Sequence, residues 1–260
     1  MHPMLNTAVR AARQSGRIIL MHYDRLDRIE VTQKGRNDFV SQADTEAEEI
    51  ALEILLKAYP EHGVVAEESG RREGGEYTWV IDPLDGTTNF IHGFPQFAVS
   101  IAVLKGSTIE HGVIYDPLRN ELFTSSRGQG AQLNDRRIRV SNCGLLELAL
   151  LGTGFPFREL DRLDQWVKAF RTLTRRSAGI RRTGSAALDL AYVAAGRMDG
   201  FWEFGLQPWD MAAGALLIRE AGGLISDPAG SQDFLDSGNV VTANPRIFND
   251  LLRIIAKHHN

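Results

Sequence analysis

The sequence WVIDPLDGTTNF occupies residues 79–90 and joins an apolar segment to a polar one. Its first residues are typical of a short buried strand, which runs directly into Asp82. Pro83 fixes φ and removes a hydrogen-bond donor, so it favours a turn after the strand. We expect that turn to bring the carboxylates of Asp82 and Asp85 to the same place.

The second half of this stretch has the features of an anion site. Gly86 permits a close approach of the backbone or an unusual combination of φ and ψ. Residues 87–89 are a candidate helix start, and the free N–H groups of a helix start can bind an anion. A Pro-Leu-Asp-Gly segment taken alone is more often an ordinary turn, so other residues have to decide between the two interpretations.

Four carboxylates fall at the ends of predicted strands or helices: Glu67, Asp82, Asp85 and Asp210. Segments at strand ends often carry function on a rigid scaffold. Clustered charges of one sign repel strongly at short range, so such a group requires a cation. Magnesium suits it, because this ion prefers oxygen ligands and often takes substrate phosphate as a further ligand. The pattern therefore predicts a metal site that handles phosphate.

Apolar periodicity divides the rest of the chain into alternating helices and strands. Helices are predicted through about residue 23, over 42–59, 163–173, 185–195 and 209–221, and from residue 245. Strands are predicted at 64–66, 79–81, 98–104, 109–115, 121–125, 130–133, 148–151 and 240–243. This alternation predicts layered α/β or α+β packing. We expect a single domain over residues 1–260, with closely packed subdomains of roughly 1–145 and 146–260.

The composition excludes several classes of protein. The net charge of −4 and the pI near 6.0 give no general attraction to nucleic acid or to an anionic membrane, and no direct nucleic-acid motif is present. The single cysteine, Cys143, excludes an internal disulfide framework. The chain has no apolar run near the roughly 18 residues of a membrane span, and its first residues are too polar for a secretory signal. We therefore expect a cytoplasmic protein without membrane attachment.

Three segments together resemble the inositol monophosphatase family. WVIDPLDGTTNF resembles the first signature of that family, and WDMAAG at residues 209–214 resembles the second. Glu67 stands where the family has its metal-binding glutamate. The resemblance covers essentially the whole chain and is strongest to the SuhB-type branch, through segments such as RRTGSAALDLAYVAAGR at 181–197. It implies an α+β fold, a layered αβαβα sandwich with two sheets and helices between and outside them.

The resemblance implies a centre of two to three magnesium ions. The ligands implied are Glu67, Asp82, the backbone carbonyl of Leu84, Asp85 and Asp210. The local sequence does not distinguish Glu67 from Glu68. Asp210 could otherwise be a helix N-cap just before Met211.

The reaction implied is hydrolysis of a phosphate monoester by a metal-activated water. Thr87 and Asp44 match the family's pair that orients or activates this water, and Glu67 is the alternative base. Asp44 could otherwise be only a first-turn helix aspartate favoured by the macrodipole, since Ser41 precedes it as in a capping box.

The substrate contacts implied by the family surround the same centre. They are Leu84, Asp85, Gly86, Thr87, Gly184, Ser185, Ala186, Glu203 and Asp210, with the N–H groups of Gly86 and Thr87 on the phosphate. Arg181 is expected either at the mouth of this site or in a subunit contact. Lys34, on the loop at 33–38, either adds charge near a third ion or is an ordinary exposed lysine.

The leading function implied is hydrolysis of myo-inositol 1-phosphate and related small monoesters, with magnesium required and lithium inhibitory. Glu203 favours inositol, because a carboxylate can accept hydrogen bonds from sugar-type hydroxyls. The alternatives with the same chemistry are fructose bisphosphate, phosphoadenosine phosphate and histidinol phosphate as substrates.

The resemblance also implies partners. SuhB-type members are associated with NusA and RNA polymerase in ribosomal RNA antitermination, so a mainly regulatory binding protein is the alternative from another class. Family members are usually homodimers, and in SuhB-type members the dimer can be weak. We therefore expect a homodimer.

Overall fold

Residues 2–29, 31–35, 38–156 and 160–259 are described by the computed structural model. The helices are α1 (Pro3–Tyr23), α2 (Gln42–Ala58), α3 (Thr87–Ile91), α4 (Leu163–Thr174), α5 (Ala186–Ala194), α6 (Pro208–Glu220), α7 (Phe234–Ser237) and α8 (Phe248–His259). The strands are β1 (Val31–Gly35), β2 (Asp38–Ser41), β3 (Gly63–Ala66), β4 (Gly70–Arg72), β5 (Tyr77–Asp85), β6 (Ala98–Lys105), β7 (Thr108–Asp116), β8 (Glu121–Ser126), β9 (Gly130–Leu133), β10 (Arg136–Arg137), β11 (Leu150–Thr153), β12 (Gly179–Arg181), β13 (Gly200–Glu203), β14 (Leu224–Ser226) and β15 (Val240–Ala243).

Most of the predicted helices and strands are confirmed, but one predicted loop, two predicted starting residues and the extent of β5 are wrong. The predicted loop at 33–38 is wrong in its described part, because its first residues belong to β1 and Asp38 begins β2; the two strands pair as an antiparallel hairpin. The strand predicted at 148–151 begins two residues later, at Leu150. The last helix begins at Phe248 and not at Pro245, because the Asn244 side chain accepts a hydrogen bond from the Arg246 N–H and forms a turn there.

The larger sheet has the strand order β10-β9-β8-β7-β6-β5-β3-β4. Its neighbours are antiparallel except for β3 and β5, which are parallel. β5 therefore lies inside the sheet, between β3 and β6, where both faces of the strand are covered. This explains its nearly uninterrupted apolar sequence, since a strand buried on both faces has no polar side.

The smaller sheet has the order β12-β11-β13-β15-β14. β12, β11 and β13 are parallel, and β15 pairs antiparallel with β13 and β14. The sequence analysis missed β12, β13 and β14, which are only three or four residues long. They also lack a run of β-branched residues such as Val240-Val241-Thr242 in β15, so the sequence does not mark them as strands without their partners.

Three apolar clusters place the helices relative to the sheets. Along β5, Trp79 and Ile81 pack with residues of α1 and α2, whereas Val80 packs with residues of α5 and α6. The cluster of α5 and α6 also contains Phe201 of β13 and Val240 of β15, so these two helices lie between the sheets. On the outer side of the small sheet, residues of α4 and α8 pack together. The order of layers is therefore α1/α2, large sheet, α5/α6, small sheet, α4/α8, which is the αβαβα arrangement expected.

A β-bulge on β5 brings two aspartates to one face of the large sheet. Asp82 pairs with Ser100 of β6, and Asp85 pairs with Ala98, so β5 has one extra residue between these two pairs. Side chains alternate between faces along a strand, so residues three apart normally point in opposite directions. One extra residue reverses this alternation and puts Asp82 and Asp85 on the same side. The predicted turn at Pro83 is therefore wrong: the strand continues to Asp85, and Pro83 is accommodated at the bulge.

Candidate active site

Carboxylate oxygens from Asp82, Asp85 and Asp210 all lie within 4.8 Å of one another. The two β5 residues come from the bulged end of the strand, and Asp210 comes from the first turn of α6. All three residues are buried, with exposed fractions of 2%, 9% and 8% in the order named. A central strand of the large sheet and a helix of the middle layer therefore meet at this cluster.

Asp210 has a structural contact as well as its place in the cluster. Its Oδ2 accepts a hydrogen bond of 2.8 Å from the Gln207 N–H and completes a capping box at the start of α6. The N-cap residue is Gln207, so the interpretation of Asp210 as the N-cap is wrong. The capping contact fixes the direction of the carboxylate, which helps to hold it beside Asp82 and Asp85.

Glu67 extends the acidic group from the other side. It lies in the turn between β3 and β4 and makes a side-chain hydrogen bond with Asp82. Burial, followed by repulsion from Asp210 and Asp44, raises the pKa of Glu67 to about 8. Burial, followed by repulsion from Glu67, raises the pKa of Asp82 well above its ordinary value. The two carboxyls therefore favour a shared proton when no cation is bound.

Asp85 is held by the start of α5. Its Oδ2 accepts hydrogen bonds from Ser185 Oγ at 2.5 Å and from the Ala187 N–H at 2.7 Å. Burial, followed by repulsion from Asp210, nevertheless raises the pKa of Asp85 to about 7. These hydrogen bonds stabilise the charged carboxylate, and the neighbouring acids oppose it.

The donor set fits a hard divalent cation. All of its side-chain atoms are carboxylate oxygens, which such ions prefer, and the chain brings them together in a buried place where their mutual repulsion is strong. A cation would stabilise the charged carboxylates and so oppose the burial and repulsion that raise the pKa values of Glu67, Asp82 and Asp85. The residues present are therefore suited to hold a metal ion.

A hydroxyl–carboxylate pair lies next to the acidic group. Thr87 Oγ1 is 2.9 Å from Asp44 Oδ1 and 3.0 Å from the carbonyl oxygen of Leu84. Asp44 lies in the first turn of α2, and its Oδ2 accepts hydrogen bonds from the N–H and the hydroxyl of Ser41. Burial raises the pKa of Asp44 to about 6, although its hydrogen bonds oppose this effect. The capping role of Asp44 and its contact with Thr87 therefore coexist, one on each oxygen.

Gly86 allows the backbone to turn sharply between the acidic strand and α3. Its φ is +96°, in the region that favours glycine. A Cβ at this position would lie 2.8 Å from the carbonyl oxygen of Gln96. A side chain is thus excluded by both conformation and space.

These residues open into one cleft at the junction of the two sheets. Its lining includes the predicted residues Glu67, Asp82, Leu84, Asp85, Gly86, Thr87, Gly184, Ser185, Ala186, Glu203 and Asp210. Asp44 lies behind Thr87 and reaches the cleft only through that hydroxyl. The structure therefore brings the predicted metal, phosphate and alcohol contacts to one place.

The sequence profile of the inositol monophosphatase family matches residues 1–260. The chain belongs to this family. It is 56% identical to the Nus factor SuhB of Pseudomonas aeruginosa, over 99% of this chain and 97% of that protein. Its fold matches the crystal structure of the extragenic suppressor protein SuhB from Bartonella henselae with a TM-score of 0.96 and 46% identity, over 98% of this chain and 99% of that one. It matches the IMPase of Thermotoga maritima with a TM-score of 0.89 and 35% identity, over 98% and 97% of the two chains.

One positively charged residue singled out from the sequence, Arg181, is not part of the described cleft. Arg181 ends β12, is exposed, and is absent from the described lining of the cleft; its Nη1 contacts the carbonyl oxygen of Ile180. Its neighbour Arg182 lines the cleft, with its guanidinium 5.2 Å from the ring centre of Phe155. The side chain of Lys34 lies outside the described residues. No helix within the described ranges is long and apolar enough to cross a membrane.

Several other residues of the cleft were not predicted from the sequence. They are Phe39, Thr153, Gly154, Phe155, Pro156, Arg182, Asp189, Phe204, Gly205 and Leu206. Asp189 had a usable signal, because it is the only charged residue of the otherwise apolar helix α5. It is 1% exposed and accepts a hydrogen bond of 2.7 Å from Thr183 Oγ1.

No sequence pattern marks Gly154 as a site residue. Its role depends on Glu203, which is distant in the sequence. A Cβ at Gly154 would lie 1.9 Å from the carboxyl group of Glu203. Burial, followed by repulsion from Asp189 and Asp210, raises the pKa of Glu203 well above its ordinary value. Glycine at position 154 therefore makes the space in which Glu203 faces the cleft.

Proposed function

We propose that this protein is a magnesium-dependent phosphomonoesterase that hydrolyses myo-inositol 1-phosphate and related small monoesters. The observation that carries the proposal is the convergence of Asp82, Asp85 and Asp210 within 4.8 Å, beside the hydrogen-bonded pair Thr87 and Asp44. Membership of the inositol monophosphatase family supports it.

Five residues would hold the two to three magnesium ions. They are Glu67, Asp82, Asp85 and Asp210 through carboxylates, and Leu84 through its carbonyl oxygen. That carbonyl oxygen lies 3.0 Å from Thr87 Oγ1, and its two lone pairs leave it able to bind an ion as well. When bound, the ions would supply Lewis acidity toward water and the phosphoryl oxygens.

Thr87 and Asp44 would handle the proton of the attacking water. Thr87 Oγ1 donates to Asp44 Oδ1 and keeps its lone pairs for a water in the cleft. When Thr87 Oγ1 accepts a proton from the water, it can pass its own hydroxyl proton to Asp44 Oδ1. Glu67 is the alternative acceptor, because it lies on the same cleft.

The substrate would lie across the cleft with its phosphate toward β5. The N–H groups of Gly86 and Thr87 would donate to the phosphate, since both residues line the cleft next to the acidic group. The carboxylates of Glu203 and Asp210, with residues 184–186, would contact the hydroxyls of the alcohol. Several acceptors around one alcohol favour a polyol over an aromatic or apolar one.

A substrate panel assayed with and without magnesium tests this proposal. We expect hydrolysis of myo-inositol 1-phosphate that requires magnesium, is inhibited by lithium and is lost in Asp85→Asn. Fructose bisphosphate, phosphoadenosine phosphate and histidinol phosphate are the alternative substrates. Rapid turnover of one of these with no turnover of myo-inositol 1-phosphate would overturn the substrate assignment and leave the phosphatase assignment standing.

A second role in transcription antitermination is supported by the names of the relatives. Proteins 50–56% identical to this chain over nearly its full length are named Nus factor SuhB. We propose that this chain also binds NusA or RNA polymerase in the cytoplasm. It would do so as a homodimer, or as a monomer in equilibrium with a weak homodimer. Asp85→Asn separates the roles: normal ribosomal RNA transcription in cells that carry this variant would make hydrolysis secondary, and a transcription defect would make it essential to both.

A further inference from the structure

Glu48 is a buried carboxylate that the proposed mechanism does not use. It lies in α2 and is 2% exposed. Its Oε2 accepts a hydrogen bond of 2.9 Å from the N–H of Glu68, and its Oε1 accepts one of 2.7 Å from the N–H of Ser69. A charged group is buried at low cost only when its hydrogen bonds are made, so these two N–H groups account for the position of Glu48. Both belong to the turn that presents Glu67.

That turn lies near the edge of the large sheet. It joins β3 to β4, with Ala66 paired to Gly70. Toward the centre of the sheet, the N–H of Glu67 donates to the carbonyl oxygen of Ile81. Toward the edge lies β4, an exposed strand of three residues at the end of the sheet. Glu48 joins the outer half of the turn to α2 through two hydrogen bonds.

The face of α2 that carries Glu48 also carries Asp44, which contacts the Thr87 side of the candidate site. Residues four apart on a helix lie on one face, so Asp44 and Glu48 point in the same direction from α2. Asp44 contacts Thr87, and Glu48 contacts the residues that follow Glu67. One rigid helix thus sets the distance between the Thr87 side and the Glu67 side of the cleft.

We propose that Glu48 is a positioning residue that holds Glu67 in the geometry needed to bind metal, an inference that rests on the proposed function. Residues that orient metal ligands typically change metal affinity by about 10–100-fold when they are replaced. A carboxylate is suited to this position because both of its oxygens accept hydrogen bonds. A glutamine offers one acceptor and an NH₂ group that donates, so one of the two N–H groups would lose its partner.

Metal titration of Glu48→Gln tests the proposal, with Glu49→Gln as the matched control. Glu49 is the next residue of α2 and is exposed. In calorimetric titrations of metal-free protein with magnesium, we expect Glu48→Gln to weaken the affinity about 10–100-fold. We expect Glu49→Gln to change the affinity by no more than about twofold, as surface substitutions usually do. Raising the magnesium concentration should restore much of the kcat of Glu48→Gln, which a general loss of folded protein would not allow.

The two proposals fail in different ways. Wild-type protein that binds no magnesium contradicts the proposed function and, with it, this inference. Wild-type binding together with an unchanged affinity in Glu48→Gln overturns only the role of Glu48.

Amide hydrogen exchange of the wild-type protein gives a second test that does not depend on the folding of a variant. We expect the N–H groups of Glu68 and Ser69 to exchange slowly both with and without magnesium, because Glu48 holds them in either state. Exchange at the rate of an open loop in the metal-free protein would show that the turn is not held in advance, and the proposal would be wrong.

Discussion

Ser185 Oγ donates a 2.5 Å hydrogen bond to Oδ2 of Asp85, across a separation of 100 residues in the chain. Asp85 ends a strand of the large sheet, and Ser185 begins a helix of the middle layer. The acidic cluster is therefore assembled from both halves of the chain. Its geometry depends on how α5 docks against β5 and cannot be set by the acidic strand alone.

Ser185→Ala should destabilise the protein measurably. The change removes the bond to Asp85 and also the N-cap of α5, where Ser185 Oγ accepts from the N–H of Leu188. We expect the free energy of unfolding in urea to fall by about 1–3 kcal/mol, because a cap and a buried charged acceptor both lose their partner. Ser231→Ala is the control, since its hydroxyl contacts Asp233 on the exposed surface. An equal loss in both variants would contradict the role given to the buried bond.

Thr87→Val should abolish most of the activity and leave the metal site intact. Valine has nearly the shape of threonine but cannot donate to Asp44 Oδ1 or to the Leu84 carbonyl. If Thr87 and Asp44 transfer the proton of the attacking water, kcat should fall by about 10²–10⁴-fold. Magnesium affinity, measured by calorimetry, should stay close to that of the wild type.

Thr87→Ser is the matched control for that variant, because it keeps the hydroxyl and removes only a methyl group. We expect it to retain most of the kcat. Comparable activity in the valine and serine variants would assign proton transfer to Glu67 instead.

The acidic strand shows what local sequence can and cannot predict. That Asp82 and Asp85 lie together was predictable from the stretch itself. The β-bulge that brings them together was not predictable, because its extra residue is defined only by the pairing with β6, which the stretch does not contain. The same limit applies to Arg181 and Arg182: β12 ends at Arg181, and a strand this short does not show which of the two arginines reaches the cleft until its pairing with β11 is known.

Residues that line the cleft without a motif were the hardest to predict. Gly154 matters only because Glu203, on another strand, occupies the space above it. Such a relationship depends on packing between β11 and β13, which pair across a long separation in the chain. By contrast, layered α/β or α+β packing was predictable, since the apolar patterns of α1 and α2 are long and regular.

Gly154→Ala should impair substrate selection more than chemistry. The new methyl group would lie 1.9 Å from the Glu203 carboxyl and would force that side chain to move. We expect kcat/KM for a polyol monophosphate to fall about 10-fold relative to that for a simple aryl phosphate, because only the polyol uses the Glu203 carboxylate. The measurement is a comparison of both substrates at saturating magnesium.

Gly144→Ala provides the control for Gly154→Ala. A Cβ at Gly144 would have its nearest described neighbour at 3.8 Å, so ordinary contact is all it makes. This variant should keep the wild-type ratio between the two substrates. If Gly154→Ala lowered both activities equally, Glu203 would have no part in recognising the alcohol.

The stability of the metal-free protein should fall as the pH rises from about 5 to about 8. The pKa of Asp44 is raised to about 6, that of Asp85 to about 7 and that of Glu67 to about 8. Unfolded carboxyls titrate near about pH 4, so the folded state binds these protons more tightly than the unfolded state does. Their contribution to stability is therefore complete below about pH 4 and is lost as the pH rises through the folded pKa values. Glu46 and Glu121 have lowered pKa values, so their contributions are lost only in more acidic solution, outside this window. Burial lowers the pKa values of His62, His111 and His259, so these three groups favour the folded state as the pH rises and reduce the size of the fall.

Magnesium should reverse this pH dependence, because the ion replaces the protons that the acidic cluster otherwise requires. In calorimetric melts with chelator and with magnesium, we expect the gain in Tm from the ion to grow between about pH 5 and about pH 8. Asp85→Asn removes one of the titrating groups, so its metal-free Tm should fall less steeply over the same range. A gain from magnesium that is the same at both ends of this range would show that the cluster is not where the ion binds.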